Sequence, residues 1–346
     1  MTLVADFDYR LPEERIAQVP VEPRDAARLL VDRGPGRDPD HRGVRDLPTL
    51  LDPGDVLVVN ETRVMPARLR ATKSTGGEVE VLLLEREPDG TWQALVRPGR
   101  RVRPGTVVVA GDIAVEVGDD VGDGVRRVRL RLVGGASTPA SELAALESYG
   151  EVPLPPYIRA TLDDPERYQT VFARLPGSVA APTAGLHLTD RVLDGCRERG
   201  IRVEVIDLHV GLGTFRPIAT DRVEDHIMHS EHYRVASDVL AACRAARIHG
   251  SKVVAVGTTV ARALEAAATG PLEGRTELFI QGDHRFAAVD RLLTNFHMPR
   301  SSLLVLVDSF IGARWRRAYD VALDTGYRFL SFGDCCLLDR SWGRAR

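Results

Sequence analysis

Apolar and polar positions along this chain fall into two textures. From about Met65 to Val133 short apolar runs recur at Val79–Leu84, Gln93–Val96, Thr106–Val109, Ile113–Val117 and Arg126–Leu132, split by glycine turns such as Asp89-Gly90. Short strands with no helical period predict a small antiparallel barrel or sandwich. Elsewhere runs of strand length alternate with runs of helix length. The pattern predicts a helix over Asp190–Arg199 leading into a strand over Ile201–Leu208, and a helix over Ser237–Ile248 leading into a strand over Lys252–Val256. A helix over Val260–Ala268, a strand over Glu277–Ile280 and a helix from near Ser301 follow, with Tyr327–Phe332 and Cys335–Leu338 as closing strands. Ahead of the β-rich stretch, Leu11–Ile16 reads as a short helix, Arg28–Val31 and Val56–Val59 as strands, and Asn60-Glu61-Thr62-Arg63 as a polar loop. Strand–loop–helix alternation implies a mainly parallel sheet or barrel. The expected plan is an α/β, barrel-like body of residues 1–63 and 151–346, interrupted by a small antiparallel β-barrel of residues 64–150.

Composition narrows the function. The 346 residues are 44% hydrophobic and 27% charged, which is ordinary for a globular protein. A formal net charge of −3 argues against a generally cationic nucleic-acid binder, so any nucleic acid is held by local patches. The acidic start (Asp6, Asp8, Glu13, Glu14) has no apolar signal-peptide core, and the apolar run Leu303–Val307 is cut by Asp308. The four cysteines, Cys196, Cys243, Cys335 and Cys336, show no zinc or redox spacing. A reduced, cytoplasmic, monomeric protein without membrane partners is expected.

Several polar loops carry chemistry. His187 closes the small-residue stretch Val179-Ala-Ala-Pro-Thr183-Ala-Gly185-Leu-His187, ahead of a predicted helix N-terminus that favours negative charge. Gly257-Thr258-Thr259 lies between a strand and a helix and suits a carboxylate or phosphate, with a plain helix cap as the alternative. Gly211-Leu-Gly213-Thr214-Phe-Arg216 also follows a strand, as ligand loop or as ordinary turn. Thr294-Asn295-Phe-His297 combines an amide, an aromatic ring and an imidazole; its alternative is a satisfied buried loop. In Asp225-His226-Ile-Met-His229-Ser-Glu231-His232, a helix would gather the three histidines as metal ligands, whereas a strand would put His229 and Glu231 on one face as an acid/base pair. In the β-rich stretch Arg100, Arg101 and Arg103 crowd one loop, and Arg127, Arg129 and Arg131 alternate along one strand face. They form either a charge-guarded edge or a phosphate-contacting patch. Rossmann, P-loop and nucleophile-elbow patterns are absent from the sequence, which removes dehydrogenases and serine hydrolases.

Taken together these stretches resemble the S-adenosylmethionine:tRNA ribosyltransferase-isomerase family of the queuosine pathway. The likeness runs through Phe7-Asp-Tyr-x-Leu-Pro-Glu13, Thr62-Arg-Val-x-Pro-Ala-Arg68, Pro153-Leu-Pro-Pro-Tyr-Ile158 and Arg167-Tyr-Gln-Thr-Val171. It continues through Pro176-Gly-Ser-Val-Ala-Ala-Pro-Thr-Ala-Gly-Leu-His187, Leu208-His-Val-Gly-Leu-Gly-Thr-Phe-Arg-Pro217, Met228-His-Ser-Glu231, Gly257-Thr-Thr259 and Thr294-Asn-Phe-His297. The resemblance implies an α/β body with a β-barrel insertion and no metal. It implies transfer of the ribosyl part of S-adenosylmethionine to 7-aminomethyl-7-deazaguanine at the tRNA wobble position. Isomerisation then gives epoxyqueuosine-tRNA, adenine and methionine. The sulfonium acidifies the ribose 5′ hydrogens, so the site needs a base, expected to be His187, or His229 with Glu231. Thr183, Gly185, Gly211, Gly213, Thr214, Arg216, Gly257, Thr258, Thr259, Thr294, Asn295 and His297 are the expected substrate-binding residues, and Arg100, Arg101, Arg127 and Arg129 the RNA contacts. Where the family has a Pro-Gly turn this chain has Gly282-Asp283, which keeps open a paralogue acting on a free deazapurine or other small acceptor. A non-catalytic RNA-binding protein and a metal-dependent hydrolase on His226, His229 and His232 are the readings from other classes.

Overall fold

In the computed structural model residues 2–211 and 217–342 are described. By internal contacts the chain divides into two units, one of Met1–Thr62, Pro155–Leu175 and Ala181–Arg346, the other of Arg63–Leu154 with Pro176–Ala180. The stretch ending at His187 is therefore shared: its first residues belong to the β unit and Ala181 onward to the body.

The body is built on a nine-stranded sheet. Val56–Asn60 lies in its interior because Val56, Leu57, Val58 and Val59 are all buried, which only a strand covered on both faces allows. Arg202–Leu208 and Val253–Val256 flank it in parallel, and Arg291–Asn295 extends the parallel set. Beyond Arg291–Asn295 come Cys335–Asp339 (antiparallel), Arg28–Val31 and the edge strand Asp40–Gly43. On the other side Glu231–Arg234 and Glu273–Thr276 are added antiparallel. The strands of the sheet run in one row from Glu273–Thr276 to Asp40–Gly43. One face packs Leu57, Val59, Val254, Val256, Leu293 and Leu337 against Leu188, Val192, Leu193 and Cys196 of the following chain and helix Asp190–Glu198. All four cysteines are buried and unbridged, Cys335 and Cys336 within a strand.

The β unit contains a closed six-stranded barrel. Its strands are Arg68–Lys73, Glu78–Arg86, Trp92–Arg97, Thr106–Ala110, Ile113–Gly122 and Val125–Leu132. Alternate residues are buried, Val128 and Leu130 for example, while Arg127 and Arg129 between and beside them are exposed. The first strand escapes the hydrophobic pattern because its two buried positions, Leu69 and Ala71, are outnumbered by polar ones.

Several local expectations fail for identifiable reasons. Asn60 is not in a loop. It ends the strand Val56–Asn60, its Nδ2 donating to Leu208 O at 2.9 Å and its Oδ1 accepting from Leu208 N at 3.1 Å, so a polar side chain stitches two strands together. Glu277–Ile280 is not a strand; the edge strand is the polar Glu273–Thr276, fixed by its pairing to Glu231–Arg234. Of Tyr327–Phe332, Phe329 makes a single bridge, to Ile16. Leu11–Ile16 tightens to the short 3₁₀ turn Glu13–Arg15. Among the described residues no helix is long and apolar enough to cross a membrane.

Candidate active site

The parallel strands Val253–Val256 and Arg291–Asn295 end side by side, and ligands of α/β sheets bind beyond such carboxyl ends. Here the body has a small open cleft. Its walls include Thr183, Thr258, Thr259, Thr294, Asn295 and His297, drawn from three separated stretches of sequence. Val210, which follows the strand Arg202–Leu208, also lines it.

Gly257 makes the turn from strand to helix. Its φ of +94° belongs to glycine, and a Cβ there would stand 3.5 Å from Thr259 Oγ1 and 3.7 Å from Ala184 Cβ. Helix Thr258–Thr269 therefore starts at the cleft, bringing its partial positive charge there. Thr258 and Thr259 are buried, and Thr259 Oγ1 has no hydrogen-bond partner among the described residues. A buried hydroxyl in a cleft wall, at a helix N-terminus, is suited to an anionic ligand group such as a carboxylate.

Facing it, Asn295 is the junction of a polar chain. Thr183 Oγ1 donates to Asn295 Oδ1 at 2.9 Å, and Asn295 Nδ2 donates to His187 Nε2 at 3.1 Å. His297 is fixed three ways. Its Nε2 meets Thr294 Oγ1 at 3.0 Å, its N–H donates to Tyr319 OH at 3.0 Å, and its carbonyl accepts from Tyr9 OH at 2.5 Å. Tyr157, a cleft residue that sequence reasoning did not single out, meets Ser331 Oγ through its hydroxyl at 2.7 Å. Its only advance signal was its place in the Pro153-Leu-Pro-Pro-Tyr-Ile158 motif.

Both imidazoles are neutral over the physiological range. Burial pushes His187 down to about 3, with the nearby charges of Arg328, Arg167 and Arg24 acting the same way. Burial alone takes His297 down to about 3. In the unfolded chain a histidine titrates near 6.5. The unfolded state thus binds more protons between about pH 6.5 and 3. The stability contributed by neutral burial is complete above about 6.5 and drains away as pH falls towards 3. We expect the urea midpoint of unfolding to drop between pH 7 and pH 5, above the range where carboxylates titrate. A flat midpoint across that interval would contradict the neutral assignment.

The expected bases lie elsewhere than in the cleft walls. His187 is buried, and its Nε2 is occupied by Asn295. Glu231 is also buried; one carboxylate oxygen pairs with Arg262 Nη1 and the other accepts from Gly211 N at 3.2 Å. Arg262, missed in the sequence because it lies within an alanine-rich helix, donates its Nε to Leu278 O at 3.0 Å. His229 is exposed in the coil before strand Glu231–Arg234. Gly185 serves close packing: a Cβ there would lie 2.8 Å from Phe172 Cζ. Gly213, Thr214 and Arg216 lie outside the described residues. In the β unit Arg100 and Arg101 are exposed in the turn Gly99–Arg101, and Arg127 and Arg129 are exposed on strand Val125–Leu132.

The three-histidine metal set does not form. His226 and His229 sit in coil rather than on a helix, with His226 edge-on to Phe279. Among the described residues the group whose ligand atoms lie within 4.8 Å of one another is Asp207, His209 and His232.

Comparison with known proteins covers the chain nearly end to end. The family described as "Queuosine biosynthesis protein" matches residues 4–338. A protein of Moorella thermoacetica named "S-adenosylmethionine:tRNA ribosyltransferase-isomerase" is 50% identical over 344 residues, 97% of this chain and 99% of that protein. One of the same name from Thermus thermophilus is 50% identical over 96% of this chain and 98% of its own length. The crystal structure of an S-adenosylmethionine tRNA ribosyltransferase from Thermotoga maritima covers 96% of this chain and 99% of its own, at 35% identity and a TM-score of 0.54.

Proposed function

The chain belongs to the queuosine biosynthesis protein family, and from that premise we propose how its residues carry out S-adenosylmethionine:tRNA ribosyltransferase-isomerase activity. The observation that carries the reading is the cleft at the carboxyl edge of the sheet, with a helix N-terminus on one wall and the Asn295 and His297 amide–imidazole pair on the other. S-adenosylmethionine is the substrate that donates its ribosyl group. Its methionine carboxylate lies against Thr258 and Thr259, where the unpartnered Thr259 hydroxyl gains an acceptor. Asn295 and His297 hold the adenine or the deazaguanine by hydrogen bonds; with Nε2 of His297 engaged by Thr294, its Nδ1 is the ring nitrogen left for that work.

The acceptor is 7-aminomethyl-7-deazaguanine at the wobble position of tRNA, and the enzyme works in the cytoplasm as a monomer. A base takes a proton from the ribose 5′ carbon, made acidic by the sulfonium; adenine leaves, the acceptor amine adds, and epoxide closure expels methionine. His187 acts through Asn295, and Glu231 through Arg262 and Gly211, so both position rather than abstract. His229, exposed in the coil ahead of Glu231, is the candidate base.

RNA phosphates meet the exposed arginines of the barrel, Arg100, Arg101, Arg127 and Arg129. Arg127→Glu with Arg129→Glu is expected to weaken tRNA binding severalfold and to flatten its salt dependence by about two phosphate contacts. Unchanged binding would remove this strand from the RNA surface. The deciding assay is adenine release from S-adenosylmethionine, with modified tRNA compared against the free base. Release with the modified tRNA only supports the reading. Release with the free base only moves the chain to a small acceptor, and release with neither overturns both.

A further inference from the structure

We propose that Asp207, His209 and His232 form a binding site for one divalent transition-metal ion of the zinc class, at the end of the strand that leads to the cleft. The sheet register makes the cluster. Arg202–Leu208 runs antiparallel to Glu231–Arg234 with Asp207 opposite Arg234 and Leu208 opposite Tyr233. The next step sets His209 opposite His232, where His209 N donates to His232 O at 2.9 Å. Residues two apart on a strand share a face, so Asp207 joins the two facing imidazoles. His209 Nε2 lies 3.3 Å from Asp207 Oδ2, and the two rings stand 5.3 Å apart between centroids.

Two buried atoms of this cluster have no hydrogen-bond partner among the described residues. Asp207 is only 7% exposed, and its Oδ1 has no hydrogen-bond partner. His232 Nδ1 is likewise buried and without a partner. Leaving both orphaned costs folding energy that a bound cation would recover. On the far side of His232, Nε2 stands 3.8 Å from Glu273 Oε1, close enough for the carboxylate to favour a proton on that nitrogen though longer than a hydrogen bond. A carboxylate on one ring nitrogen favours the proton there and leaves the other as the metal donor.

Two imidazoles and one carboxylate suit zinc and its neighbours rather than magnesium or calcium, which prefer oxygen. With ligand bonds of about 2.0–2.2 Å, tetrahedral ligands stand about 3.4 Å apart. The ligand atoms, all within 4.8 Å, reach that spacing by small side-chain rotations. Three protein ligands leave a fourth position for water. The ion would clamp the two strands immediately before Val210, a residue of the cleft wall.

The test uses the full chain, stripped of metal by a chelator and titrated with Zn²⁺ by calorimetry. Co²⁺ serves as the visible-absorbance probe of coordination. One equivalent per chain is expected, with a melting temperature raised by several degrees in excess zinc. His232→Ala and Asp207→Asn should each weaken binding at least tenfold, and Glu273→Gln about tenfold. His226→Ala, in the neighbouring coil, should leave it unchanged. Melting of each metal-free variant separates lost binding from lost folding. No stoichiometric binding, or binding that survives both His232→Ala and Asp207→Asn, would overturn the site and leave a His–Asp hydrogen bond. Loss of binding in His226→Ala with none in His232→Ala would also overturn it, as adventitious capture by exposed histidine.

Discussion

Glu231→Ala is expected to cost about 3–5 kcal/mol of folding stability, because it strands the buried guanidinium of Arg262 without its counter-charge. Both side chains are about 5% exposed, so water cannot replace the lost partner. Among the described residues Arg262 Nη2 has no hydrogen-bond partner even with Glu231 present, which makes the remaining pairing matter more. The substitution also removes the acceptor that Glu231 offers to Gly211 N. Removing both charges together, as Glu231→Leu with Arg262→Met, should restore much of the loss, since two apolar groups need no partner. Chemical denaturation of the wild type, the single and the double variant measures this directly. A single variant as stable as the wild type but without activity would return Glu231 to the role of base.

The second large effect falls on catalysis. Asn295→Ala should reduce adenine release by about 10²-fold, the scale expected when a positioning group in a site is lost. It removes one cleft contact and leaves the half-buried Thr183 Oγ1 and the buried His187 Nε2 without their shared partner. The kinetic signature separates its roles. A fall in kcat with little change in KM for S-adenosylmethionine means contacts made in the transition state, whereas a rise in KM alone means ground-state binding. Asn295→Asp is the sharper probe. It keeps the shape, yet a carboxylate beside His187 favours the imidazolium, so an ionisation absent from the wild-type profile should enter the pH–rate curve. A pH profile unchanged in Asn295→Asp, with full activity in Asn295→Ala, would remove the Asn295–His187 link from catalysis.

Histidine content alone does not single out a base. In sequence His187, His229 and His297 are equivalent residues on polar loops. Burial sets His187 and His297 apart from His229, and burial depends on strands and helices hundreds of residues away. Arg328, Arg167 and Arg24, which add to the suppression of His187, come from three distant segments.

What the amino-acid order determined by itself is the local part. Alternating apolar residues specified five of the six barrel strands, since side-chain period alone decides which residues of a half-buried strand are buried. Helix Ser237–Ile248 was legible to the residue from its periodicity and the glycine that stops it, Gly250. The glycine at 257 marked a strand-to-helix turn, and the spacing of polar loops after strands marked the sheet edge as the site.

Only the tertiary structure decided the rest. Arg291–Asn295 and Glu231–Arg234 became strands because neighbours offered them backbone partners, a gain invisible in a short, polar-ended segment. Asn60 turned from loop residue to strand stitch for the same reason. The histidines at 226, 229 and 232 share a run of sequence but not a site, while Asp207 and His209 meet His232 through antiparallel register. Register is a long-range property: it is fixed by burying whole strand faces, and no spacing along the chain encodes it.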